Sequence, residues 1–597
     1  MPDHSMSISR RNIIKIPCAL LVVANAGCLT PWMHKPDPDS PEARKSKRDS
    51  IKEILQSEER PRLIKEVAKP RLLTLSRMEN LGLVTKLQGT GGSVAASSQR
   101  EKMLDTMRRR EADQPNKMLD DANTAMVVSF VNIPPAARKG SVMNVGVKLS
   151  THATGTSLRN GWLMPTELSE VQVLGGSVRE GFDIVNSEGP IVTEAQVTGS
   201  DAPEAQVSGF IVGGARLSKD RPLGIAIDQE FADAYMQAAL LPAINDRFTH
   251  FNGQRKGGIA TPKLDNYIEL AIPQRYVHDP YHFINVVLSL GFAESPEKCA
   301  ERQEICRQLL NDPKTARDTA WQLEAIGDGA KPILAEFLNH SHPEVRFYAA
   351  HALAYLNDVR AVTVLAQLAQ QQPAFRAMCL NGLTVINHFE AEDTLQSLLH
   401  CADPETRFGT VLAVRRRDPN NPQVAGTPIG TIASILEIPS NSPPLIVVGL
   451  DTRPEIVIFG NNPILTLPPF LFVNPRIVLK AESREVATLN HFAPGQEDRV
   501  IKCSTDLRSV LTAIADVGGT YGDWITFLRE CSKQGYLAEP LAINPVPHAG
   551  RTFDRDQAET TESVVATVSQ SQDDAANLKS PDTETVATWY NPFTWWN

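Results

Sequence analysis

The chain has 597 residues, which is more than one hydrophobic core normally holds, so its length predicts several domains. Apolar residues make up 42% of it and charged residues 22%, as in an ordinary soluble globular protein. The 60 Lys and Arg residues and 69 Asp and Glu residues leave a net charge of −9, and no long basic stripe stands out, so the composition argues against nucleic-acid binding.

Residues 1–28 have the pattern of an export signal. Arg10 and Arg11 resemble the pair of a twin-arginine leader, and the apolar run behind them is too short to span a bilayer as a mature helix. Two processing sites remain open: residues 24–26 have the small-x-small pattern of signal-peptidase cleavage, and Cys28 ends a lipobox-like stretch that has Asn in place of the usual Leu. We expect a periplasmic protein that is peripheral to a membrane at most, or anchored to it if Cys28 is lipidated.

Residues 29–70 are rich in Pro and charge, which predicts a flexible tether with one short helix around Ile51. From Arg71 to residue 298 the pattern changes to strands, turns and helices. Predicted strands are at 81–87, 125–131 and 142–150, and predicted helices are at 98–110 and 228–248. This segment is therefore expected to be a β-rich part that also contains helices.

A helical repeat occupies residues 299–427. Four arginines recur in it at spacings of 29, 30 and 31 residues: Arg317, Arg346, Arg376 and Arg407. The segment resembles HEAT repeats, in which paired helices stack so that each unit buries its neighbour's apolar face. We expect repeat arginines such as Arg346 and Arg376 to hold the turns between helices by hydrogen bonding, rather than to bind an anionic ligand. Such a solenoid is typical of partner binding, and the sequence does not identify the partner.

Strand-like sequence returns at residues 428–548, with two predicted helices at 506–518 and 521–535. Residues 549–597 are rich in Ser, Thr, Asp and Glu, which predicts a disordered acidic tail, and they end in a cluster of aromatic residues. That cluster could dock on another molecule or fold back on the protein's own surface, and we favour docking. The predicted fold class is α+β multidomain, with β-rich halves that contain helices and an inserted all-α solenoid.

Eight short segments, taken in chain order, are similar to the sequence pattern of the flagellar basal-body P-ring protein family. They are residues 82–92, 123–128, 134–140, 145–150, 157–168, 506–514, 523–528 and 535–541. The resemblance extends over 75–290 and 440–545. Two positions depart from the pattern, since Gly92 stands where the family often has Asp and Asn160 where it has Gly. The long helical repeat, the twin-arginine leader and the acidic tail are further departures.

The resemblance implies a periplasmic subunit that associates with itself into a ring around the flagellar rod. Rod and L-ring proteins would then be its partners, and it would support flagellum assembly and motility. The β-rich halves would form the ring wall, and the helical repeats would project from it as a partner-binding surface. The alternative is a membrane-tethered envelope scaffold, or a partner-binding protein, that keeps the fold without forming a flagellar ring.

Five residues are candidates for specific roles. Arg138, Lys139 and Arg159 are candidate subunit contacts, because a ring needs polar pairs to set the register between unlike faces. Ordinary solvated charge is the other interpretation of these three side chains. Cys503 and Cys531 could form a disulfide after export, or could be two small buried apolar side chains.

No catalytic, cofactor-binding or metal-binding pattern emerges from the sequence. The glycines at 89–92 predict a tight turn, because the Lys and Ser or Thr of a phosphate-binding loop do not follow them. Pro280 between His278 and His282 argues against a regular helical pair of metal ligands, and His351 is expected in the core or in a groove. The nucleophile motif GxSxG is absent from the sequence. We expect a structural protein rather than an enzyme, without a cofactor.

Overall fold

The structure is a computed structural model that describes residues 40–57, 62–174, 177–251, 256–492 and 498–555. It confirms the predicted α+β architecture, with β-rich parts and an all-α solenoid between them. Among these residues, no helix is both long enough and apolar enough to cross a membrane. The predicted leader with Arg10, Arg11 and Cys28 lies outside the described residues, as does the aromatic end of the chain.

The N-terminal part contains short helices and a larger number of strands. Its helices are α1 Pro41–Gln56, α2 Ser98–Arg109, α3 Pro115–Leu119, α4 Glu194–Thr198, α5 Pro203–Gln206, α6 Ala234–Arg247 and α7 Pro280–Leu288. Its strands are β1 Ala68–Arg71, β2 Ser76–Thr85, β3 Ala125–Ile133, β4 Val142–Leu149, β5 Trp162–Leu174, β6 Ser177–Pro190, β7 Val192–Thr193, β8 Ser208–Leu217, β9 Leu223–Ile227, β10 Thr249–Phe251, β11 Lys256–Gly258, β12 Ala260–Leu264 and β13 Tyr267–Leu270.

Strands β2 to β8 form the main sheet of the N-terminal part. Their order is β4-β3-β2-β5-β6-β8-β7, and β4 also pairs with β8, so the sheet closes on itself. Strands β2 and β3 pair antiparallel, from Ser76 opposite Ile133 to Val84 opposite Ala125. Val127, Val131 and Val145 are among the fully buried side chains of its interior. Closure protects most of the strand edges from pairing with other chains.

The segment expected to be a tether instead contributes to a second core. Helix α1 packs against α6, and its Ile51 is 1% exposed. Ile64 and Val67 are 0% exposed beside the sheet β1-β9-β13-β12. The structure differs from the tether prediction here because apolar side chains of this charged sequence, among them Ile51, Ile64 and Val67, are buried in that core. Residues 29–39 of that predicted tether lie outside the described residues.

The helical repeats form two layers of stacked helices. They are α8 Pro296–Leu309, α9 Pro313–Ile326, α10 Lys331–Glu336, α11 Pro343–Tyr355, α12 Ala361–Gln371, α13 Arg376–Val385, α14 Phe389–Leu398, α15 Pro404–Arg417 and α16 Pro422–Ala425. Helices α9, α11, α13 and α15 pack in succession as one layer, and α10, α12 and α14 pack behind them. As predicted, Arg346 and Arg376 donate to turn and helix-end carbonyls, Arg346 to Ser341 at 2.7 Å and Arg376 to Ala369 at 2.9 Å.

The C-terminal part adds two sheets and two helices. Its elements are β14 Thr427–Ile429, β15 Ala433–Ile438, β16 Leu445–Gly449, β17 Glu455–Phe459, β18 Leu471–Asn474, β19 Ile477–Ala481, β20 Val486–His491, β21 Arg499–Ser504, α17 Leu507–Asp516, α18 Tyr521–Lys533 and β22 Leu541–Ile543. One sheet has the order β14-β15-β17-β16-β22 and the other β18-β19-β20-β21. Val192, Val197 and Phe210 of the N-terminal part belong to the same core as α17 and α18.

The repeats do not project freely from the β-rich parts, as the sequence had led us to expect. Val447, Val457 and Phe459 of the five-stranded sheet lie in the core of the repeats. The opposite face of the same strands, with Ile446 and Ile456, packs toward α17 and α18. The sheet is therefore buried on both faces, which holds the solenoid against the C-terminal part.

Candidate functional site

The two β-rich parts meet at a buried carboxylate. Asp523 is 1% exposed at the start of α18, and its Oδ2 accepts from the backbone N–H of Thr520 at 3.0 Å in a capping box. Its Oδ1 accepts from Arg159 Nη2 at 3.2 Å and from Asn160 Nδ2 at 3.3 Å. Arg159 also donates to the carbonyl of Val473 at 3.3 Å. One carboxylate thus fixes the loop before β5 to α18, and Arg159 extends the joint to β18.

Asn160 gives a physical reason for one departure from the family pattern. Its φ is +59°, in the left-handed region that Gly and Asn adopt at the lowest cost. Its Oδ1 lies 2.9 Å from Thr520 Oγ1 and 3.5 Å from Gln196 Nε2. A glycine would fit the same backbone but would supply none of these side-chain contacts.

Helix α18 also holds the end of α4. Gly199 follows α4 with a φ of +75°, and the Arg529 guanidinium occupies the place that a Cβ on Gly199 would take. Arg529 donates to the carbonyls of Gln196 at 2.8 Å and Ala195 at 3.3 Å. These bonds satisfy carbonyls that the end of a short helix leaves without partners.

Two of the three candidate subunit contacts, Arg138 and Arg159, have side-chain partners within their own chain. Arg138 is exposed and donates to the carbonyl of Ile272 at 3.1 Å. Lys139 is exposed too, and its backbone N–H donates to Asp220 Oδ1 at 2.6 Å. Arg159 is directed into the joint between the two β-rich parts. Only Arg138 and Lys139 of the three therefore lie where a neighbouring subunit could reach them readily.

The predicted disulfide is not formed. Cys503 and Cys531 are both free thiols, like the other four cysteines that the structure describes. Burial raises the pKa of Cys531 to about 12 and that of Cys503 to about 11. Cys531 is buried in the core around α17 and α18, and Cys503 is partly buried against the same core. The second interpretation, a small buried apolar side chain, therefore fits Cys531 better than Cys503.

A buried polar cluster joins the N-terminal part to the repeats. Glu324 of α9 is 0% exposed and contacts Tyr276 Oη and His282 Nε2, each at 2.7 Å. Trp321 Nε1 donates to Nδ1 of the same histidine at 3.2 Å, so Nε2 carries the proton that is shared with Glu324. His351 of α11 lies edge-on to His282 at 4.6 Å, and its buried Nε2 has no hydrogen-bond partner among the described residues.

The same cluster contains three side chains whose ligand atoms lie close enough together to be considered as a metal site. Asp279, His282 and His351 each place one ligand atom within 4.8 Å of the others. His282 already uses both ring nitrogens, toward Trp321 and Glu324, and Asp279 accepts from the N–H of His282 at 2.9 Å as the cap of α7. The hydrogen bonds therefore make this cluster a structural joint between two parts of the chain.

A mostly apolar row, with Phe472 and Val500 exposed at its ends and Asn490 as its polar member, crosses the outer face of the four-stranded sheet. On its inner face, Leu479 packs in the core with α17 and α18. On the outer face the register places Phe472 opposite Val478, Val478 opposite Asn490, and Asn490 opposite Val500. Phe472 is 69% exposed and Val500 is 59% exposed. Apolar side chains exposed on one face of a sheet are typical of an interaction surface.

Comparison with known proteins assigns two segments of the chain. Residues 64–299 match the family model of the flagellar P-ring protein. Residues 304–375 match the family model of HEAT repeats. Both resemblances predicted from the sequence are confirmed for these segments. The similarity proposed for 506–541 lies outside the matched residues and stays a prediction.

Relatives that match the P-ring-like segment are themselves named flagellar P-ring protein. The one from Thermotoga maritima is 25% identical over 230 residues, which is 38% of this chain and 65% of the relative. The one from Rhizobium leguminosarum bv. trifolii is 30% identical over 165 residues, 27% of this chain and 41% of the relative. The one from Agrobacterium fabrum is 30% identical over 154 residues, 24% of this chain and 40% of the relative. This chain thus spans less than two thirds of the length of each of the three.

The joints around the P-ring-like part combine residues that the sequence singled out, such as Arg159 and His282, with partners that it did not. Thr520 lies three residues before Asp523, which is the spacing of a capping box and was a usable local signal. Glu324 has no such signal, because its partners Tyr276 and His282 come from a different part of the chain. Long-range pairing of this kind is not encoded in any local pattern.

Proposed function

We propose that this protein is a structural subunit of a flagellar P-ring, a periplasmic ring around the rod that supports flagellum assembly and motility. The observation that carries this proposal is the match of residues 64–299 to the P-ring family model. Relatives bearing that name in three bacteria support it. The subunit would act by self-association, without catalysis or a cofactor, and would meet rod and L-ring proteins.

Two features of the structure favour a wall-forming role. The N- and C-terminal parts share a core that contains Val192 and Phe210, so the segments on either side of the repeats pack together. The mostly apolar row from Phe472 to Val500 is exposed on their surface. The exposed Arg138 and Lys139 could then set the register with a neighbouring subunit.

Electron microscopy of purified basal bodies tests the proposal. Deletion of the gene should remove the P-ring and abolish swimming, and a copy of the complete chain should restore both. A copy with Phe472→Asp and Val500→Asp should restore neither, although the protein is exported. Intact rings and normal swimming after deletion would refute the flagellar role.

A membrane-tethered envelope scaffold is the second candidate. The helical repeats favour it, because they add a solenoid to the P-ring-like fold. Light scattering on the purified protein separates the two candidates, since a scaffold would remain a monomer or dimer. Mass spectrometry of the mature N-terminus would show whether Cys28 carries a lipid anchor.

A further inference from the structure

The last described segment of the chain lies across the helical repeats. We name residues 546–555 the strap. Val546 is 3% exposed within the core of the repeats, and Pro547 lies directly against Gly409 of α15. From there the strap runs toward α11, opposite to the order of the repeats. It thus covers the layer formed by α15, α13 and α11.

Two arginines of the strap each form a bidentate ion pair with a glutamate of the repeats. Arg551 donates to both oxygens of Glu405, at 2.6 and 2.7 Å. Arg555 donates to both oxygens of Glu344, at 2.7 and 2.8 Å. The side chain of Glu344 is 6% exposed under the strap. Paired two-point bonds of this kind select the planar guanidinium over an ammonium group.

An aromatic side chain fills the space between the two ion pairs. Phe553 stacks on Phe375 with ring centroids 4.9 Å apart and planes inclined by 24°. The ring of His342 meets the Phe553 ring edge-on, with centroids 5.9 Å apart. The intervening residues Thr552 and Asp554 are exposed. The strap therefore directs every second side chain, from 551 to 555, at the repeats, as an extended chain does.

The three contacts follow the spacing of the repeats. Glu344 and Glu405 each come directly after the proline that opens a helix, α11 and α15 respectively, and Phe375 lies just before α13 between them. Neighbouring helices pack about 9 Å apart, so two steps cover roughly 18 Å. Four extended residues span about 13 Å, and the two arginine side chains supply the remaining reach.

Side chains carry this recognition. Within the described residues, no backbone N–H or C=O of 547–555 forms a hydrogen bond with the backbone of the repeats. A segment with the same side chains at the same spacing can therefore make the same contacts. Glu405 also accepts a hydrogen bond from Arg376 of the repeats at 2.6 Å. Glu344 is instead covered by Arg555 of the strap.

We propose that the α11–α13–α15 face is a peptide-binding groove, and that the strap is its displaceable resident ligand. The partner it fits is an extended segment of another protein that carries arginine, an aromatic residue and arginine at alternate positions. The strap competes at the high effective concentration of a tethered ligand, so a segment that lacks this spacing does not displace it. The inference concerns the repeats alone and does not depend on a flagellar ring.

Fluorescence anisotropy with a labelled peptide of residues 545–556 tests the groove. The full-length chain with Arg551→Ala, Phe553→Ala and Arg555→Ala should bind the peptide at least tenfold more tightly than the unchanged chain. Adding Glu344→Gln and Glu405→Gln should lower that affinity at least tenfold. The matched control is Glu390→Gln, which alters an exposed glutamate on α14 and should leave the affinity unchanged. A peptide with the same composition and scrambled order should not bind.

Equal binding by the unchanged and strap-altered chains would overturn the proposal, and so would binding that survives loss of both glutamates. If the triple variant folds poorly, Arg555→Ala alone gives the same comparison, because that side chain is 46% exposed. Light scattering distinguishes a second copy as the occupant. An unchanged chain that is dimeric and becomes monomeric when the strap is altered would show exchange between copies and would overturn occupancy within one chain.

Discussion

Asp523 loses nearly all contact with water when the two β-rich parts pack together, and a buried carboxylate is stable only when its oxygens are hydrogen-bonded. Both oxygens have such partners. One caps α18 through Thr520, and the other holds Arg159 and Asn160 from the loop before β5. The side chain thus couples the start of a helix to the attachment of a distant part of the chain.

Replacement of Asp523 by Ala should therefore lower the free energy of unfolding by about 2 kcal/mol, because it removes a helix cap and an ion pair together. The value lies below that of a fully buried pair, since the Arg159 side chain is 29% exposed. Urea unfolding followed by tryptophan fluorescence measures the change. Asp516→Ala, at an exposed position of α17, is the control and should change stability by less than about 0.5 kcal/mol. Equal midpoints for the two variants would contradict the role of Asp523.

His351 predicts a pH dependence of stability. Burial lowers its pKa well below the ordinary value, and the neighbouring His282 lowers it further. As pH falls below about 6.5, the unfolded chain takes up a proton that the folded chain refuses, so stability decreases by at most about 1.4 kcal/mol per pH unit. Burial is the largest single influence on His282 and lowers its pKa, but the charge and hydrogen bond of Glu324 together with the charge of Asp279 outweigh burial and raise the pKa, so His282 acts in the opposite sense.

The test is the difference between the unchanged chain and His351→Met at pH 7.5 and pH 5. The variant should lose less stability than the unchanged chain on acidification, because methionine fills the space without titrating. His152→Asn, which removes an exposed histidine, should retain the pH dependence of the unchanged chain. A parallel loss in all three proteins would rule out His351 as the source.

At this scale the sequence predicted residue types better than residue partners. Arg346 and Arg376 were predicted to hold turns, and they do so, because the repeat spacing fixes their place on each helix. Cys503 and Cys531 were left open between a disulfide after export and two buried apolar side chains, and in the structure both are free thiols, with Cys531 buried in the core and Cys503 partly buried against it. Compartment alone does not determine whether two thiols face one another.

Strands β16 and β17 show how far pattern alone reaches at the scale of elements. Both lie in the stretch that the sequence predicted to be strand-like, and every residue of both is buried. The sequence did not show which layers would cover them, namely the repeats on one face and α17 and α18 on the other. Glu455 is the polar exception at 1% exposure, and Arg415 binds both of its oxygens at 2.9 Å.

The contact between α4 and α18 is open to a matched comparison of two glycines. Gly199 and Gly535 share a φ of +75°, but only Gly199 has a neighbour, the Arg529 guanidinium, where a Cβ would be added. Gly535→Ala should cost about 1 kcal/mol from backbone strain alone. Gly199→Ala should cost at least about 1 kcal/mol more, because Arg529 must also move from the end of α4.

Urea unfolding of both glycine variants measures this difference. In a chain that already carries Arg529→Ala, Gly199→Ala should cost no more than Gly535→Ala, because the added methyl group no longer meets the guanidinium. Arg529→Ala by itself also removes the hydrogen bonds to Gln196 and Ala195. Equal losses of stability at Gly199 and Gly535 would mean that Arg529 moves away from the added methyl group at no cost in free energy.

For the molecule as a whole, three joints close a circuit of contacts. Asp523 links the N- and C-terminal parts, Glu324 links the N-terminal part to the repeats, and the five-stranded sheet links the repeats to the C-terminal part. Composition and repeat spacing predicted the fold class and the inserted solenoid. They did not predict the circuit, because each joint depends on residues that are far apart in sequence and carry no shared local pattern.

The proposed ring requires a surface through which subunits associate, and the outer row of the four-stranded sheet is the candidate. Charged residues introduced into this row test that role directly. Phe472→Asp with Val500→Asp should leave the protomer folded, because both positions are exposed, with an unchanged circular-dichroism spectrum. If the subunit assembles as proposed, the same changes should reduce the assembly to protomers, since burying two unpaired carboxylates costs several kcal/mol at each interface. Sedimentation velocity measures the outcome. Phe389→Asp, at a 65% exposed position on α14, adds comparable charge away from the row and should leave assembly intact. If the row variant still assembles like the unchanged chain, subunits associate through a different face.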